Sequence, residues 1–172
     1  KRTIWDKIFK RQGTPIYDWG YVTGTRRTVL DNYDGGYYGD NAFRVCFSDP
    51  AQGTVSADYI ADNKLASKVA IIYDSSDAYS TGIYEKFDAQ AKAKGLNVVA
   101  TESFTQNTKT DFSAQIQAIK SSGADLVFLP IYYSEASLIL TEANSIGYET
   151  IFFGCDGLDG VLTVENFDTK LA

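Results

Sequence analysis

From residue 69 onward, short apolar runs alternate with longer stretches in which apolar residues recur at helical spacing. The runs Val69–Tyr73, Val98–Val99, Leu126–Leu129 and Ile151–Phe153 read as strands. Three of them are introduced by one arrangement: a helical stretch, a glycine, then two residues ending in Asn, Asp or Glu. These read Lys94-Gly95-Leu96-Asn97, Ser122-Gly123-Ala124-Asp125 and Ile146-Gly147-Tyr148-Glu149. Glycine after a helical stretch supplies the left-handed residue that ends a helix, so each unit predicts a helix stop followed by a buried strand. Strands recurring every ~25 to 30 residues with helices between them are what parallel βαβ winding requires. The helices carry matching stripes: Ile83, Phe87 and Ala91; Phe112, Ile116 and Ile119; Ile139, Ala143 and Ile146. Asp111 stands ahead of the second stripe, where a carboxylate favours a helix start. Upstream, Ala42–Phe47 reads as a strand, and Ser48-Asp49-Pro50 starts a helix running to about Ala61. A last, shorter helical turn is expected from Asp159 onward. In a sheet of this kind, ligand-handling residues sit on loops leaving the strand C-termini.

The first forty residues are patterned differently. Ile4, Trp5, Ile8 and Phe9 fit a short amphipathic helix, and Ile16–Val22 with Thr28–Leu30 fit a hairpin turning around Thr23-Gly24-Thr25-Arg26. Charge follows the same division: residues 1–41 hold seven Lys or Arg against five Asp, and the remainder nine against seventeen Asp or Glu. Residues 1–40 therefore read as an aromatic-rich segment of separate origin or role, and residues 41–172 as one α/β lobe. Trp5, Trp19, Tyr17, Tyr21, Tyr37 and Tyr38 would suit a binding surface or a cover for the sheet.

Composition narrows the chemistry. A net charge of −6 and a pI near 4.6 argue against nucleic acid as a partner, which needs a basic face. No apolar run is long enough to span a membrane. Cys46 and Cys155 make neither a disulfide framework nor a metal pair, and both read as free, packed thiols. With no histidine in 172 residues, Ser-His-Asp and Cys-His nucleophiles are excluded. Neither GxGxxG nor GxxxxGK[ST] occurs, so the dinucleotide and phosphate cradles are missing. Asp74 with Asp77, or Asp156 with Asp159, has the oxygen chemistry for Mg²⁺, but such pairs at strand ends more often cap helices or face water. A receiver-type phospho-acceptor needs a lysine at a late strand end, where this chain has Pro130 and Gly154. The chain is expected not to be an enzyme and to use no cofactor.

Several ordered motifs resemble one family. Ala42-Phe43-Arg44-Val45-Cys46-Phe47-Ser48-Asp49-Pro50 with Gln52-Gly53, Lys68–Asp74, Asp77-Ala78-Tyr79-Ser80-Thr81-Gly82, Phe104-Thr105 with Thr110-Asp111-Phe112, and Phe153-Gly154-Cys155-Asp156-Gly157 are similar to type I periplasmic binding proteins of the branched-chain amino-acid receptor family. The resemblance covers about residues 41–172. It implies one lobe of a two-lobed receptor: a three-layer α/β/α sandwich with a mainly parallel sheet, here preceded by the short helix and hairpin segment. It implies solute capture for an ABC transporter, a periplasmic or extracellular location, and a small amino acid as ligand. The cleft would be completed by a second lobe, another chain or a homodimer. By the same resemblance Tyr79 packs against the ligand, Asp156 pairs with its α-ammonium group, and Tyr132 or Tyr133 lines the side-chain pocket. The family's carboxylate anchors lie on the other lobe, and their motif is absent. An excised or engineered lobe, or a scaffold whose N-terminal segment makes a new contact, would also fit this pattern.

Overall fold

A computed structural model of the chain describes residues 47–172 together with the backbone of Ile16–Asp18 and Ala42–Arg44. The chain divides into two compact units, Lys1–Ser48 and Asp49–Ala172. In the first, β1 (Ile16–Asp18) pairs in parallel with β2 (Ala42–Arg44), Ile16 opposite Ala42. The hairpin expected over Ile16–Val22 and Thr28–Leu30 falls largely outside the described residues. Its described part is therefore in a parallel pair, and the partner is the strand expected at Ala42–Phe47. The amphipathic stretch around Trp5, the aromatic side chains of residues 1–40 and Cys46 also lie outside the described residues.

The second unit begins with α1 (Asp49–Asp62) and winds as β3 (Val69–Asp74), α2 (Ala78–Lys94), β4 (Val98–Phe104), α3 (Ser113–Ser122), β5 (Leu126–Leu129), α4 (Tyr133–Ser145) and β6 (Ile151–Gly154). Its four strands form an all-parallel sheet in the order β4-β3-β5-β6. Successive side chains on a strand point to opposite faces, and here both faces are covered. Val69 and Ile71 of β3 with Leu126 and Phe128 of β5 pack on Ala57, Ile60, Ile83, Phe87 and Ala91 of α1 and α2. Ala70, Ile72, Val127 and Leu129 pack on Ile116, Ile119, Ala136, Ile139 and Ala143 of α3 and α4. The result is a three-layer α/β/α sandwich, and it explains why the strand sequences are continuously apolar instead of alternating. Phe87 stacks on Phe128 with centroids 4.0 Å apart at the centre of one layer.

The repeated glycines do what their position predicts. Gly95, Gly123 and Gly147 have φ of 72°, 70° and 62°, the left-handed region in which a Cβ is costly. After α2, the Gly95 N–H bonds to the Lys92 carbonyl and the Leu96 N–H to the Ala91 carbonyl, closing a Schellman-type end. The acidic residue of the second repeat has a further use. Asp125 accepts hydrogen bonds from the backbone N–H groups of Ser67 (2.9 Å) and Lys68 (2.8 Å), tying the entry of β3 to the entry of β5. Asp111 accepts from the Ser113 N–H at 3.0 Å in the first turn of α3. Residues 156–171 form three short 3₁₀ turns, Asp156–Leu158, Val161–Thr163 and Thr169–Leu171, where the sequence suggested a single helical turn from Asp159.

Two features of the packing can be tested directly. A Cβ on Gly53 of α1 would lie 2.1 Å from the Ile83 carbonyl oxygen and 2.8 Å from the Phe87 nitrogen, both backbone atoms of α2. Gly53→Ala must therefore push the two helices apart, and is expected to lower unfolding free energy by about 3 kcal/mol or more by chemical denaturation. Asp125→Ala is expected to cost about 1 to 2 kcal/mol at pH 7 through its backbone bonds. Burial acts to raise the Asp125 pKa, but the Lys68 and Ser67 N–H bonds outweigh it and hold the carboxyl below its ordinary value. Its stabilisation is therefore complete above the unfolded carboxyl pKa of about 3.9 and is lost as pH falls through the lower folded value. Denaturation curves of the two proteins should differ at neutral pH and draw together as pH falls through the lowered folded value.

Candidate functional site

Three loops leave the C-terminal edge of the sheet next to one another: residues 75–77 after β3, Pro130–Tyr132 after β5, and Cys155 onward after β6. Each brings one of the residues singled out in the sequence. Tyr79 lies in the first turn of α2, where Asp77 caps the helix by accepting from the Ser80 N–H at 3.0 Å. Asp74 donates its backbone N–H to Ser80 Oγ (2.8 Å), so the strand end and the helix start are locked together. These bonds aim the Tyr79 side chain across the sheet edge.

The Tyr79 hydroxyl donates to Asp156 Oδ1 at 2.6 Å and accepts from the Gly157 N–H at 2.9 Å. Its ring stacks on Tyr132, with centroids 4.8 Å apart and planes 19° apart. The structure thus brings Tyr79, Tyr132 and Asp156 into one cluster. Tyr133 is the first residue of α4 and turns elsewhere, its ring 3.5 Å from where a Cβ on Gly160 would stand. Asp156 is exposed and opens the first 3₁₀ turn, while Tyr79 is half-buried. Burial first, and then the bond to the Asp156 carboxylate, raise the phenol pKa above its ordinary value, so Tyr79 stays a neutral donor. Cys155 is a free thiol whose pKa burial pushes up to about 12, with Ser56 Oγ 3.9 Å from its sulfur. A thiol held protonated in this way is no nucleophile.

Two supporting residues carry roles that the sequence did not assign. Gln52 of α1 accepts the Asp156 backbone N–H on Oε1 at 3.0 Å, fixing the turn that presents the carboxylate. Gly157 is required by space: a Cβ there would fall 2.5 Å from the Ile131 carbonyl oxygen and 2.6 Å from the Tyr79 hydroxyl. Both stand in the motifs Gln52-Gly53 and Asp156-Gly157, but the contacts span 104 and 78 positions and no spacing rule announces them.

The arrangement is a polar edge with one exposed, pre-positioned carboxylate beside a pair of stacked rings. Aromatic faces and a carboxylate together suit an organic ammonium group. Neither acidic pair weighed for Mg²⁺ forms a ligand cluster: Asp74 and Asp77 are engaged at the β3–α2 junction, and no group of three or more His, Cys, Asp or Glu converges among the described residues.

Comparison with known proteins identifies the family of the fold. The periplasmic binding protein family matches residues 7–163, which takes in most of the N-terminal segment as well as the α/β lobe. A "Leu/Ile/Val-binding protein homolog 3" of Brucella melitensis is 35% identical over 119 residues, which is 69% of this chain and 32% of that protein. A leucine-binding protein of Thermotoga maritima superimposes with a TM-score of 0.66 at 29% identity, covering 73% of this chain and 36% of that one. The branched-chain amino-acid transporter substrate-binding protein LivJ of Streptococcus pneumoniae, solved with isoleucine, gives a TM-score of 0.66 at 26% identity, over 87% of this chain and 39% of that one. The chain spans about a third of the length of the curated relatives it matches. On the fold, the ordered motifs and these matches, the chain belongs to the periplasmic binding protein family, type I, among the relatives of the branched-chain amino-acid receptors.

Proposed function

We propose that residues 49–172 form one half of a solute cleft that captures a small amino acid for an ABC transporter, outside the cytoplasmic membrane and without catalysis. The single observation carrying this reading is the Tyr79–Asp156 hydrogen bond at the C-terminal sheet edge, with Tyr132 stacked behind it. One Asp156 oxygen is engaged by Tyr79, which orients the carboxylate and leaves the other to accept from an ammonium group. Tyr79 and Tyr132 offer the aliphatic part of the ligand a flat apolar wall. The names of the relatives, Leu/Ile/Val-binding and amino acid binding proteins, support the same solute class. A periplasmic or extracellular location is in keeping with that family, and among the described residues no helix is long and apolar enough to cross a membrane.

The second wall of the cleft is assigned to the part of such a receptor that lies outside these 49–172 residues. Because the family match begins at residue 7, residues 1–48 read better as family sequence preceding the lobe than as a grafted recognition element. An engineered scaffold gains nothing from that match.

Asp156→Asn keeps an oxygen for Tyr79 but removes the charge. It is expected to weaken amino-acid binding by about 1 kcal/mol in calorimetric titrations, since a charge-assisted bond at an exposed, water-screened carboxylate becomes a neutral one. Equal affinity in the two proteins would take Asp156 out of the site. Tyr79→Phe should weaken binding and also lower unfolding free energy by about 1 to 2 kcal/mol, because the Gly157 N–H loses its acceptor. A variant that loses stability but binds as before would make Tyr79 a structural residue alone.

A further inference from the structure

On the other side of Tyr132 the sheet edge holds a cavity of about 330 Å³, between the C-terminal ends of β3, β4 and β5. Its size is that of a small ligand pocket or of one arm of a larger ligand. Tyr132 lines it and also stacks on Tyr79, whose hydroxyl holds Asp156, so cavity and carboxylate are joined through one aromatic pair. Phe104, Ile131 and Tyr132 form its apolar part, and the charged groups on the wall are Asp74, Asp77, Glu135 and Lys109.

The charges do not balance. Glu135 is only 7% exposed, and Lys109 Nζ lies 3.1 Å from its Oε1. Burial acts to raise the Glu135 pKa, but bonds from Ser134, its own backbone and Lys109 keep it lowered, so Glu135 is ionised and its charge is offset by Lys109. Among the described residues no cation pairs with Asp74 or Asp77. Asp74 uses Oδ1 for the N–H and hydroxyl of Ser76, and Asp77 uses Oδ2 for the Ser80 N–H, so these bonds occupy one oxygen of each. The Gln106 side chain lines the same space. A wholly aliphatic group entering here would meet Phe104, Ile131 and Tyr132 but would strip water from the carboxylates without replacing its bonds. A group bearing several N–H donors and a positive charge would replace that water bond for bond.

Resting on the capture reading above, we infer that this cavity is a subsite for the far end of the solute, and that the end it takes is cationic, as in a basic amino acid. The ligand's α-ammonium group sits at Asp156, its chain runs over Tyr132, and its terminal amine or guanidinium meets Asp74 and Asp77. This departs from a pocket built for branched aliphatic side chains.

The test is titration of the chain with arginine, leucine and glutamate, followed by calorimetry or by chemical-shift mapping at millimolar ligand. Arginine is expected to bind at least about tenfold more tightly than leucine, with glutamate weakest. Asp74→Asn and Asp77→Asn keep the oxygens that bond Ser76 and Ser80, so the loop and the helix cap persist. Each is expected to lower the arginine-to-leucine affinity ratio about fivefold, with melting temperature reporting that the fold is intact. Leucine binding as well as arginine, or a ratio unmoved by both variants, overturns the cationic subsite, and Asp156→Asn weakening every ligand would still uphold capture. Arginine binding that is sensitive to Asp74→Asn but untouched by Asp156→Asn upholds the cavity and overturns capture at Asp156. Absence of binding by all three ligands overturns both.

Discussion

The rest of the lobe follows from the burial of β3 on both faces. Val69, Ala70, Ile71 and Ile72 are all fully buried, and β5 beside them is buried from Leu126 to Leu129. A strand in that position can carry no polar side chain without leaving it unpaired, which costs on the order of 1 to 3 kcal/mol. Polar chemistry is therefore expelled to the strand ends, and the parallel winding makes all four C-terminal ends share one edge. The cluster of Tyr79, Tyr132 and Asp156 and the cavity beside it occupy the place that core packing leaves for them. Covering both faces also sets the helix arrangement: α1 and α2 approach so closely that Gly53 is required at their crossing.

This constraint explains which features were legible in the sequence. Buried strands had to be continuously apolar and helices had to stop before them, so the three Gly-x-(Asn/Asp/Glu) repeats mark real boundaries with left-handed glycines. The stripes Ile83-Phe87-Ala91 and Phe112-Ile116-Ile119 are buried as their spacing predicts. The fold class was thus written in local signals. The candidate site was suggested only by resemblance, because its bonds are long-range: Tyr79 reaches Asp156 across 77 positions, and Gln52 reaches the same turn across 104. Tyr132 and Tyr133 illustrate the difference. Adjacent in sequence and equal in chemistry, they part because one precedes α4 in extended backbone while the other begins it. Which of the two joins the cluster is decided by that helix start, a boundary that sequence patterns place only to within a few residues.

Polar residues at the edge serve two tasks at once. Asp74, Asp77 and Ser80 hold the β3–α2 junction together, and the same carboxylates line the cavity. A loop fixed by its own hydrogen bonds loses little entropy when a ligand arrives, which is how a preformed site gains affinity. The Tyr79–Asp156–Gln52 chain has the same character: the Tyr79 hydroxyl, Asp156 Oδ1, the Asp156 N–H and Gln52 Oε1 are committed before binding. On the proposed reading these bonds make a preorganised half-site, whose specificity would follow from the carboxylate oxygens that they leave over.

A rigid half-site is not yet a strong one. Asp156 is exposed, and between exposed charges a pair contributes about 1 kcal/mol or less, because water screens it. The same pair gains severalfold as the effective dielectric falls from that of water toward about 20. The Tyr79 hydroxyl is already bonded to the carboxylate, and a second surface closing over its exposed side would complete the change. Affinity in such a lobe then depends less on adding contacts to the ligand than on how dry the contacts already present become. On the reading proposed above, selectivity would be carried by the lobe itself, since Asp74, Asp77, Lys109 and Glu135 all line its cavity.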